Sequence, residues 1–496
     1  MSRVLQEAVH TEPTDDSRAG GQVTPKVTRR EGADPRRWRA LAVTQLAAFM
    51  VLLDVSIVNV ALPSIERDLA VSPVTAQWVI SGYALTLGLA LVPAGRLGDS
   101  LGRRRMFLIA LSAFVLTSAL TGAAPSAGLL IAARLVQGVA GGMLIPQNSG
   151  LIQELFRGAE RGSAFGILGS TIGIATAAGP VIGGLILGIP GPDAWRWVFY
   201  VNVPIGLVAL LLAARLLPAT ISAGWRGIDL DLLGSLLLGG GVLAFLIPVV
   251  DAADGGFSRL WWLGLVGVLL LVLFSWWETH IVGRGRQPLL DPRLKSTSGY
   301  VAGSVIGLVY FIGFTGVWLV LTLFLQDGLG YSPLRAGLSV TPFAVGVASS
   351  AVIAGSLVFR LGRWLTVCGL AATGVGLLAT ALLLRHTAGA SAQWVIIGPL
   401  LVAGLGGGMV TSPNITLTLE NVPVRMAGAA GGALQTVQRI GAAMGAATLA
   451  TIFYHALNQT GNDYQAAVSD ALVATCAFML LALLIALGEV LWRRSS

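Results

Sequence analysis

The sequence predicts an all-α integral membrane protein with fourteen transmembrane helices. Of its 496 residues, 55% are hydrophobic and only 11% are charged, whereas soluble domains carry about 25% charged residues. Apolar runs of about 20 residues, the length that spans a bilayer as a helix, recur almost from end to end. The fourteen predicted spans are 39–62, 74–95, 107–124, 128–146, 163–188, 197–217, 232–250, 260–282, 299–325, 336–358, 365–384, 394–416, 427–454 and 469–492.

The distribution of basic residues predicts which side of the membrane each loop faces. Fourteen spans place both termini on one side, and assigning that side to the cytoplasm leaves 25 of the 32 Lys and Arg residues inside. Five lie outside, and Arg134 and Arg439 fall within helices. Because cytoplasmic loops are enriched in Lys and Arg, we expect both termini in the cytoplasm. The net charge of +8 follows from this bias and indicates no nucleic-acid partner.

An internal repeat divides the predicted helices into two sets. The loop "GRLGDSLGRRR" (95–105) has a shorter copy, "GSLVFRLGR" (355–363), 260 residues later. "GGM" at 141–143 recurs at 407–409, and Glu154 recurs as Glu420 at the same offset of 266. This spacing covers eight helices, so it predicts two six-helix halves with two helices inserted between them. Parallel six-helix halves are typical of a transporter that binds its substrate between them near the membrane midplane.

The repeat and the composition together predict five regions. Residues 1–38 are polar and carry both charge signs, which is typical of a disordered tail. The predicted regions are a cytoplasmic tail (1–38), a six-helix bundle (39–217), two inserted helices with a cytoplasmic linker (218–298), a second six-helix bundle (299–492) and a short cytoplasmic end (493–496).

A single carboxylate interrupts the first apolar run. Asp54 is the only charge in "FMVLLDVSIVNVALP" (49–63), and a charge at the centre of a membrane helix costs about 2.5–3.5 kcal/mol on insertion scales. At helical spacing it shares a face with Ala47, Met50, Val58 and Ala61. The two alanines on that face favour close packing or a cavity wall over lipid. Asp54 is therefore predicted to bind a proton and a cationic substrate in turn, with structural hydrogen bonding as the alternative.

Six segments carry a combined pattern. They are "LDVSIVNVALP" (53–63), "GRLGDSLGRRR" (95–105), "RLVQGVAGG" (134–142), "AGPVIGG" (178–184), "WRWVFYVNVPIG" (195–206) and "LGYSPLRAGL" (329–338). Together they resemble the major facilitator superfamily, in its fourteen-helix drug:proton antiporter branch. Two positions depart from the usual pattern, because Ser100 replaces a basic residue and Ala175 replaces a leading glycine. The resemblance covers nearly everything after residue 38 and implies proton-coupled export by alternating access.

Arg134 is a second charge inside a predicted helix. Arginine stays charged in proteins, and this one shares a helical face with Gln137, Gly138 and Gly141. At the offset of 266 its counterpart is Leu400, so the arginine belongs to one half only. The resemblance implies a role in proton coupling through a neighbouring carboxylate. Pairing with backbone carbonyls is the structural alternative.

The loop at 95–105 is predicted to control conformational exchange. Its candidate residues are Gly95, Asp99, Gly102, Arg103 and Arg104. The glycines permit tight turns, and Asp99 can pair with Arg103 four residues later or cap the start of a helix. The arginines can also contact acidic groups or lipid on the inner face. The alternative is that they only set the membrane topology.

Two further groups of residues are candidates for a helix bend and for the lining of a substrate cavity. The first, Gly179, Pro180, Gly183 and Gly184, interrupts the fifth helix, which favours bending between access states or simply a kinked packing. The second could line a substrate cavity, although aromatic residues at helical spacing also serve ordinary packing. Its members are Gln77, Trp78, Tyr83, Tyr310, Phe314, Trp318, Gln435, Gln438 and Arg439.

The function predicted from these features is secondary active export of lipophilic, cationic drugs or antibiotics, driven by protons and without another cofactor. An exporter dedicated to one metabolite or self-made antibiotic is the alternative. An enzyme is disfavoured because the four histidines are scattered and no H-E-x-x-H motif occurs, so no metal site is expected. Neither lysine follows a glycine, which excludes a phosphate-binding G-x-x-x-x-G-K-[ST] loop. We expect a monomer in a bacterial plasma membrane, since thirty arginines against two lysines favour a GC-rich genome.

Overall fold

The computed structural model describes residues 36–189, 191–218, 231–250, 259–286, 288–297, 299–387 and 391–495. Within these ranges we number fourteen long helices, and there is no β-strand. Helices α1 to α14 are Arg37–Asp68, Pro73–Leu101, Arg103–Gly122, Ala127–Leu155, Gly158–Leu187, Asn202–Leu216, Leu232–Val250, Trp262–Gly283, Tyr300–Leu323, Pro333–Leu361, Trp364–His386, Ile397–Thr418, Ala427–Gln459 and Tyr464–Ser495. Most of the predicted tail, 1–38, and part of the linker lie outside the described residues.

These helices confirm the predicted all-α membrane fold. Thirteen helical regions in the described part of the chain are long and apolar enough to cross a membrane. The remaining one, α7, contributes the shorter apolar segment Leu232–Phe245. Several helices extend beyond the apolar run that predicted them. For example, α1 ends at Asp68, whereas its predicted span ends at residue 62. Polar residues at a helix end can still reach water, so the end of an apolar run does not end the helix.

The repeat is visible in the structure at both ends of α2 and α10. Ser72 caps α2 by accepting a hydrogen bond from the Thr75 amide at 3.2 Å. Ser332, 260 residues later, caps α10 by accepting one from the Arg335 amide at 3.3 Å. Both helices end at a glycine with positive φ, +95° at Gly102 and +55° at Gly362. We call α1–α6 the first half and α9–α14 the second half.

Helix packing within each half follows the same repeat. A Cβ added to Gly138 of α4 would lie 2.4 Å from the carbonyl oxygen of Tyr83 in α2. A Cβ added to Gly404 of α12 would lie 2.0 Å from the carbonyl oxygen of Phe343 in α10. The pairs differ by 266 and 260 residues, so positions in α2 and α10, and in α4 and α12, are structurally equivalent.

The two halves meet along two related seams. In one seam α2 lies against α13, and a Cβ at Gly95 would approach the Gly428 carbonyl oxygen to 2.3 Å. In the other, α5 lies against α10, and a Cβ at Gly162 would approach the Gly355 carbonyl oxygen to 2.2 Å. Residues without side chains let these backbones touch. The seams are therefore closed at the end of the molecule that carries the 95–105 loop.

The inserted helices α7 and α8 pack on each other and beside the α2–α13 seam. Phe274 of α8 and Leu289 form an apolar cluster with Val92 of α2 and Ala433 of α13. At the start of α7, Asp231 accepts a hydrogen bond from the Gly234 amide at 2.9 Å, which caps the helix. This pair of helices thus covers one of the two seams and not the other.

Candidate functional site

Asp54 and Arg134 form a buried ion pair inside the first half. The Nη1 atom of Arg134 lies 2.6 Å from Oδ2 of Asp54, and the two residues are 1% and 0% exposed. Asp54 belongs to the middle of α1, and Arg134 reaches it from α4. All four residues predicted to share the face of Asp54 are buried: Ala47, Met50, Val58 and Ala61. The prediction that Asp54 points inward is therefore confirmed for this face of α1.

Two side-chain amides complete the surroundings of the carboxylate. Asn202 Nδ2, at the first residue of α6, donates to Oδ1 of Asp54 at 2.9 Å. Gln137 Nε2, one turn beyond Arg134, donates to the same oxygen at 3.2 Å. Each carboxylate oxygen thus accepts at least one hydrogen bond, and α1, α4 and α6 converge on it. Charge-assisted hydrogen bonds of this kind are the strong ones.

A second layer holds the donors in place. Ser118 accepts a hydrogen bond from Asn202 at 3.1 Å and donates to the carbonyl oxygen of Phe199 at 2.9 Å. Arg134 donates through Nε to the carbonyl oxygen of Val79 at 3.1 Å. Its guanidinium carbon also lies 4.0 Å from the ring centroid of Tyr83, within cation–π distance. The network joins five helices, α1, α2, α3, α4 and α6, and the short segment that holds Phe199, so it responds to any movement of α1 against its neighbours.

The charge balance of this arrangement depends on whether Asp54 is ionised. With Asp54 ionised, the pair is neutral overall, and a buried charge is tolerated when it is paired and hydrogen-bonded. Protonation of Asp54 would leave Arg134 as an uncompensated buried cation, which costs several kcal/mol. The proton can therefore be bound favourably only if the surroundings of Arg134 change at the same time. Such a linkage couples protonation to conformation.

The 95–105 loop joins the two halves through its acid. Both carboxylate oxygens of Asp99 accept backbone hydrogen bonds at 3.0 Å, from the amides of Gly428 and Ala429 at the start of α13. Arg103 Nη2 lies 2.9 Å from Asp99 Oδ1, and it also donates to the carbonyl oxygen of Val424 at 2.5 Å. Asp99 and Arg103 therefore bind the second half directly.

The other loop candidates lie around this contact. Gly95 provides the close approach to Gly428, and Gly102 provides the positive φ between α2 and α3. Arg104 points elsewhere and donates to the carbonyl oxygen of Ala214 at 2.6 Å, near the end of α6. Arg104 thus contacts the first half, whereas its neighbour Arg103 reaches both halves.

The helix-bend candidates of α5 face two different helices. Gly179 lies against Ser56 of α1, since an added Cβ would come within 2.1 Å of the Ser56 hydroxyl oxygen. Pro180 and Gly184 face α10, where their neighbours are Gly337 and Leu334. These residues therefore pack α5 between the two halves.

The aromatic cavity candidates of α9 form one cluster in the second half. Phe314 and Trp318 lie 5.6 and 5.2 Å, between ring centroids, from Phe343 of α10. Tyr310 lies 5.2 Å from Phe314, and its hydroxyl has no hydrogen-bond partner among the described residues. The cluster packs against Leu400 and the rest of an apolar core.

The remaining cavity candidates are dispersed. Gln77 and Trp78 are exposed at the outer part of α2, whereas Tyr83 is buried beside Arg134. Gln438 turns away from the first half and lies near Gly307 of α9. Gln435 and Arg439 are half-buried.

Sequence reasoning missed several partners in the site. Asn202 stands in the segment "WRWVFYVNVPIG", and a lone amide at the start of an apolar helix was the available signal. Val424, Gly428 and Ala429 bind the loop through backbone groups, which leave no trace in residue type. Arg363, the copy of Arg103, binds Asn414 at 2.6 Å and Glu489 at 2.8 Å, all within the second half.

Comparisons with known proteins agree on one family. Residues 45–446 match the family model described as Major Facilitator Superfamily. The chain is 36% identical to a probable actinorhodin transporter of Streptomyces coelicolor, over 88% of this chain and 75% of that protein. It is 38% identical to a puromycin resistance protein of Streptomyces alboniger, over 85% of this chain and 83% of that protein. A solved structure of the human transporter MFSD10 has the same fold, with a TM-score of 0.66 at 15% identity, covering 91% of this chain and all of that one.

Proposed function

The chain belongs to the Major Facilitator Superfamily, and on that premise we propose that it is a proton-coupled exporter of lipophilic drugs or antibiotics. The observation that carries this proposal is the Asp54–Arg134 pair, completely buried and positioned between helices of one half. Buried ionisable residues in membrane helices mark ion pathways and proton relays. The relatives that are named as an actinorhodin transporter and a puromycin resistance protein support the substrate class.

Asp54 is the proposed proton carrier, and Arg134 is the group that makes its protonation depend on conformation. In the ionised state Asp54 holds α1, α4 and α6 together through Arg134, Gln137 and Asn202. A proton arriving from outside neutralises Asp54 and weakens this attachment, so α1 can move. The membrane potential drives the inward proton with about 2.3 kcal/mol per charge per 100 mV.

Asp99 and Arg103 are the proposed gate. They bind the start of α13 at the loop end of the α2–α13 seam, and the excess of basic residues assigns this end to the cytoplasm. Release of these contacts would open the seam inward, while the opposite end closes. Alternating access then requires the two halves to rock against each other about the midplane, so that the seams open at one end and close at the other.

The proposed setting is a bacterial plasma membrane, with both termini in the cytoplasm and the monomer as the working unit. Its partners are a small lipophilic molecule, protons and the surrounding lipid, and the proton is the coupling ion in place of a cofactor. Transport rather than catalysis is its proposed activity.

A dedicated exporter of one self-made antibiotic is a second candidate. It is favoured by the two relatives above, which are named for single antibiotics and come from Streptomyces. Broad and narrow specificity both use the same proton step, so they differ in the substrate site and not in Asp54 or Arg134.

Proton release from proteoliposomes tests the proposal. The wild-type protein should release protons when a transported drug is added, and Arg134→Ala should abolish this coupling, because Asp54 then has no conformation-dependent cation. Arg134→Lys should retain part of the coupling, since it keeps the charge but loses the fork geometry.

Arg67→Ala is the matched control. It removes an exposed arginine at the end of α1 that bonds only to its own helix, and it should transport like the wild type. Wild-type coupling in folded Arg134→Ala protein would contradict the proton role. Absence of drug-induced proton release in the wild type across a panel of lipophilic drugs would contradict the function.

A further inference from the structure

Arg439 is the charge near the midplane that the proposed proton step leaves unused. It lies twelve residues inside α13, about 18 Å from the start of that helix. The residue is half-buried, and among the described residues it makes no hydrogen bond or ion pair. No carboxylate among the described residues therefore balances the charge of Arg439.

The helical register shows that Arg439 faces the first half. Gly428, Gly432 and Arg439 follow one another at spacings of four and seven residues, so they share one face of α13. Gly428 touches α2 at Gly95, and a Cβ added to Gly432 would lie 2.5 Å from the Leu91 carbonyl oxygen of α2. Arg439 is the next step along the same face, about 10 Å further from the loop end. It therefore enters the α2–α13 seam.

The equivalent point of the other seam is closed. At the offset of 266, Arg439 corresponds to Gly173 of α5, where an added Cβ would lie 3.1 Å from Val347 of α10. Ala344 of α10 is 2% exposed in that seam. Its counterpart at the offset of 260, Ala84 of α2, is exposed. The α2–α13 seam is thus open at the level of Arg439. At the loop end, by contrast, its backbones approach as closely as those of the α5–α10 seam.

We propose that Arg439 binds an acidic group of the exported molecule in the open part of this seam, so that the substrate class is lipophilic acids rather than the cations that the sequence predicts. This inference rests on the proposed function and names the substrate class of that transporter. Arg439 keeps its charge, and a partly buried cation without a carboxylate partner favours an anion. A carboxylate or phenolate would supply the two acceptor positions that a guanidinium fork matches.

The neighbouring groups favour an anion as well. Arg134 is already neutralised by Asp54 at 2.6 Å, so these three charges leave a net positive site. The Tyr83 hydroxyl is buried on the α4 side of α2 and has no hydrogen-bond partner among the described residues, so it supplies no negative charge to balance Arg439. Both oxygens of Asp54 are occupied by donors of the first half. Among the described residues, a cationic substrate at this level would meet Arg439 and no carboxylate that is free of its own donors.

Three dyes on one xanthene scaffold test the inference. At pH 7.4 fluorescein is a dianion, its methyl ester a monoanion and rhodamine 123 a cation. Binding to purified protein in detergent is measured by fluorescence polarisation. The wild type should bind fluorescein most tightly and rhodamine 123 least tightly. Arg439→Gln should weaken fluorescein binding about tenfold or more, the equivalent of one charge-assisted hydrogen bond, and leave rhodamine 123 binding unchanged or tighter.

Two further variants separate charge recognition from folding. Arg439→Lys should keep the preference for fluorescein, because the charge remains. Arg335→Gln removes an arginine that stacks on Tyr331 at the other end of the second half, and it should leave all three affinities unchanged. The wild-type order of affinities needs no variant, so the inference can fail even if Arg439→Gln does not fold.

Two results would overturn the inference. One is a wild type that prefers rhodamine 123, and the other is an Arg439→Gln variant that loses affinity for all three dyes equally. Either result leaves the proposed function standing if drug-induced proton release is still observed in proteoliposomes. Loss of proton release together with a preserved fluorescein preference would contradict the proposed proton coupling, and only the binding of acids by the seam would still stand.

Discussion

The three residues at the centre of the buried polar network in the first half have apolar counterparts in the second half. At the offset of 260, Asp54 corresponds to Phe314 and Tyr83 to Phe343, and at 266 Arg134 corresponds to Leu400. The polar set is joined by an ion pair of 2.6 Å and a cation–π contact of 4.0 Å. The apolar set belongs to a single core, in which Phe314 and Phe343 are 5.6 Å apart between ring centroids.

The difference shows that the repeat specifies helix packing but not chemistry. The glycine contacts at Gly138 and Gly404 are reproduced in both halves, since they set how closely two backbones approach. The Asp54–Arg134 pair has no counterpart at the equivalent positions of the second half, whose own buried pair, Arg363–Glu489, lies elsewhere. A buried charge is costly and is retained where it has a use. In the proposed mechanism the first half therefore carries the proton step, and the second half supplies an apolar wall and Arg439.

The two copies of the loop differ in the same way. Arg103 and Arg363 are equivalent, but Arg103 reaches the other half at Val424 whereas Arg363 binds Asn414 and Glu489 of its own half. Asp99, which binds the amides of α13, is replaced by Phe359, 37% exposed. One copy of the loop thus connects the halves, and the other ties helices within one half.

The largest expected effect comes from neutralising the carboxylate of the first half. Asp54→Asn keeps the side-chain volume and part of the hydrogen bonding but cannot release a proton, so proton-driven export and substrate-induced proton release should fall to background. Both are measured on purified protein in proteoliposomes, after size-exclusion chromatography shows that the variant is folded. Asp54→Glu is expected to restore a fraction of export, because its side chain is ionisable but one methylene longer.

Glu489→Gln supplies the matched comparison. It removes a buried carboxylate from the second half, where Glu489 pairs with Arg363 at 2.8 Å. Removing one partner of a buried pair costs about 3–5 kcal/mol, so thermal stability should fall while proton coupling persists. Equal loss of coupling in Asp54→Asn and Glu489→Gln would show that both halves share the proton step.

An intermediate effect is expected at the connecting loop. Asp99→Asn replaces one of the two carboxylate oxygens that accept the Gly428 and Ala429 amides with a group that cannot accept them. Loss of one charge-assisted bond should weaken the closed loop end and slow turnover about tenfold, with little change in drug affinity. Transport rates and equilibrium binding, measured on the same preparation, separate these two quantities.

Phe359→Asn makes the corresponding change in the second copy. Since Phe359 is partly exposed and makes no contact of this kind, its turnover should stay close to that of the wild type. A reduced affinity with normal turnover in Asp99→Asn would place Asp99 in substrate binding and would remove the distinction between the two loops.

The smallest effect is expected where α5 packs against α1. Gly179→Ala would bring a methyl group within 2.1 Å of the Ser56 hydroxyl oxygen, and overpacking of this kind typically costs about 1–3 kcal/mol. The thermal midpoint should fall while export is partly retained. Gly264→Ala in α8 meets no atom within 4 Å and should match or exceed wild-type stability. Equal thermal unfolding midpoints for the two variants would show that α5 can shift at Gly179 to accommodate the methyl group without strain.

The sequence by itself determined the helices, the repeat and the inward face of Asp54. Apolar runs specify membrane helices because lipid admits no unpaired backbone groups, and this local rule holds for α1 as for α14. The inward face of Asp54 followed from residues four and seven positions away, which helical geometry alone brings together. The loop at 95–105 and its copy at 355–363 could be recognised because matching residues recur at a constant offset of 260.

Only the tertiary structure decided which groups meet. Asp54 and Arg134 are 80 residues apart, and the carboxylate finds Asn202 after a further 68. Asp99 binds the amides of Gly428 and Ala429, which any residue type could supply. The same holds for Arg439, whose surroundings depend on how far α13 stands from α2. Residue types set what a side chain can do, but the packing of whole helices sets the distance at which it does so.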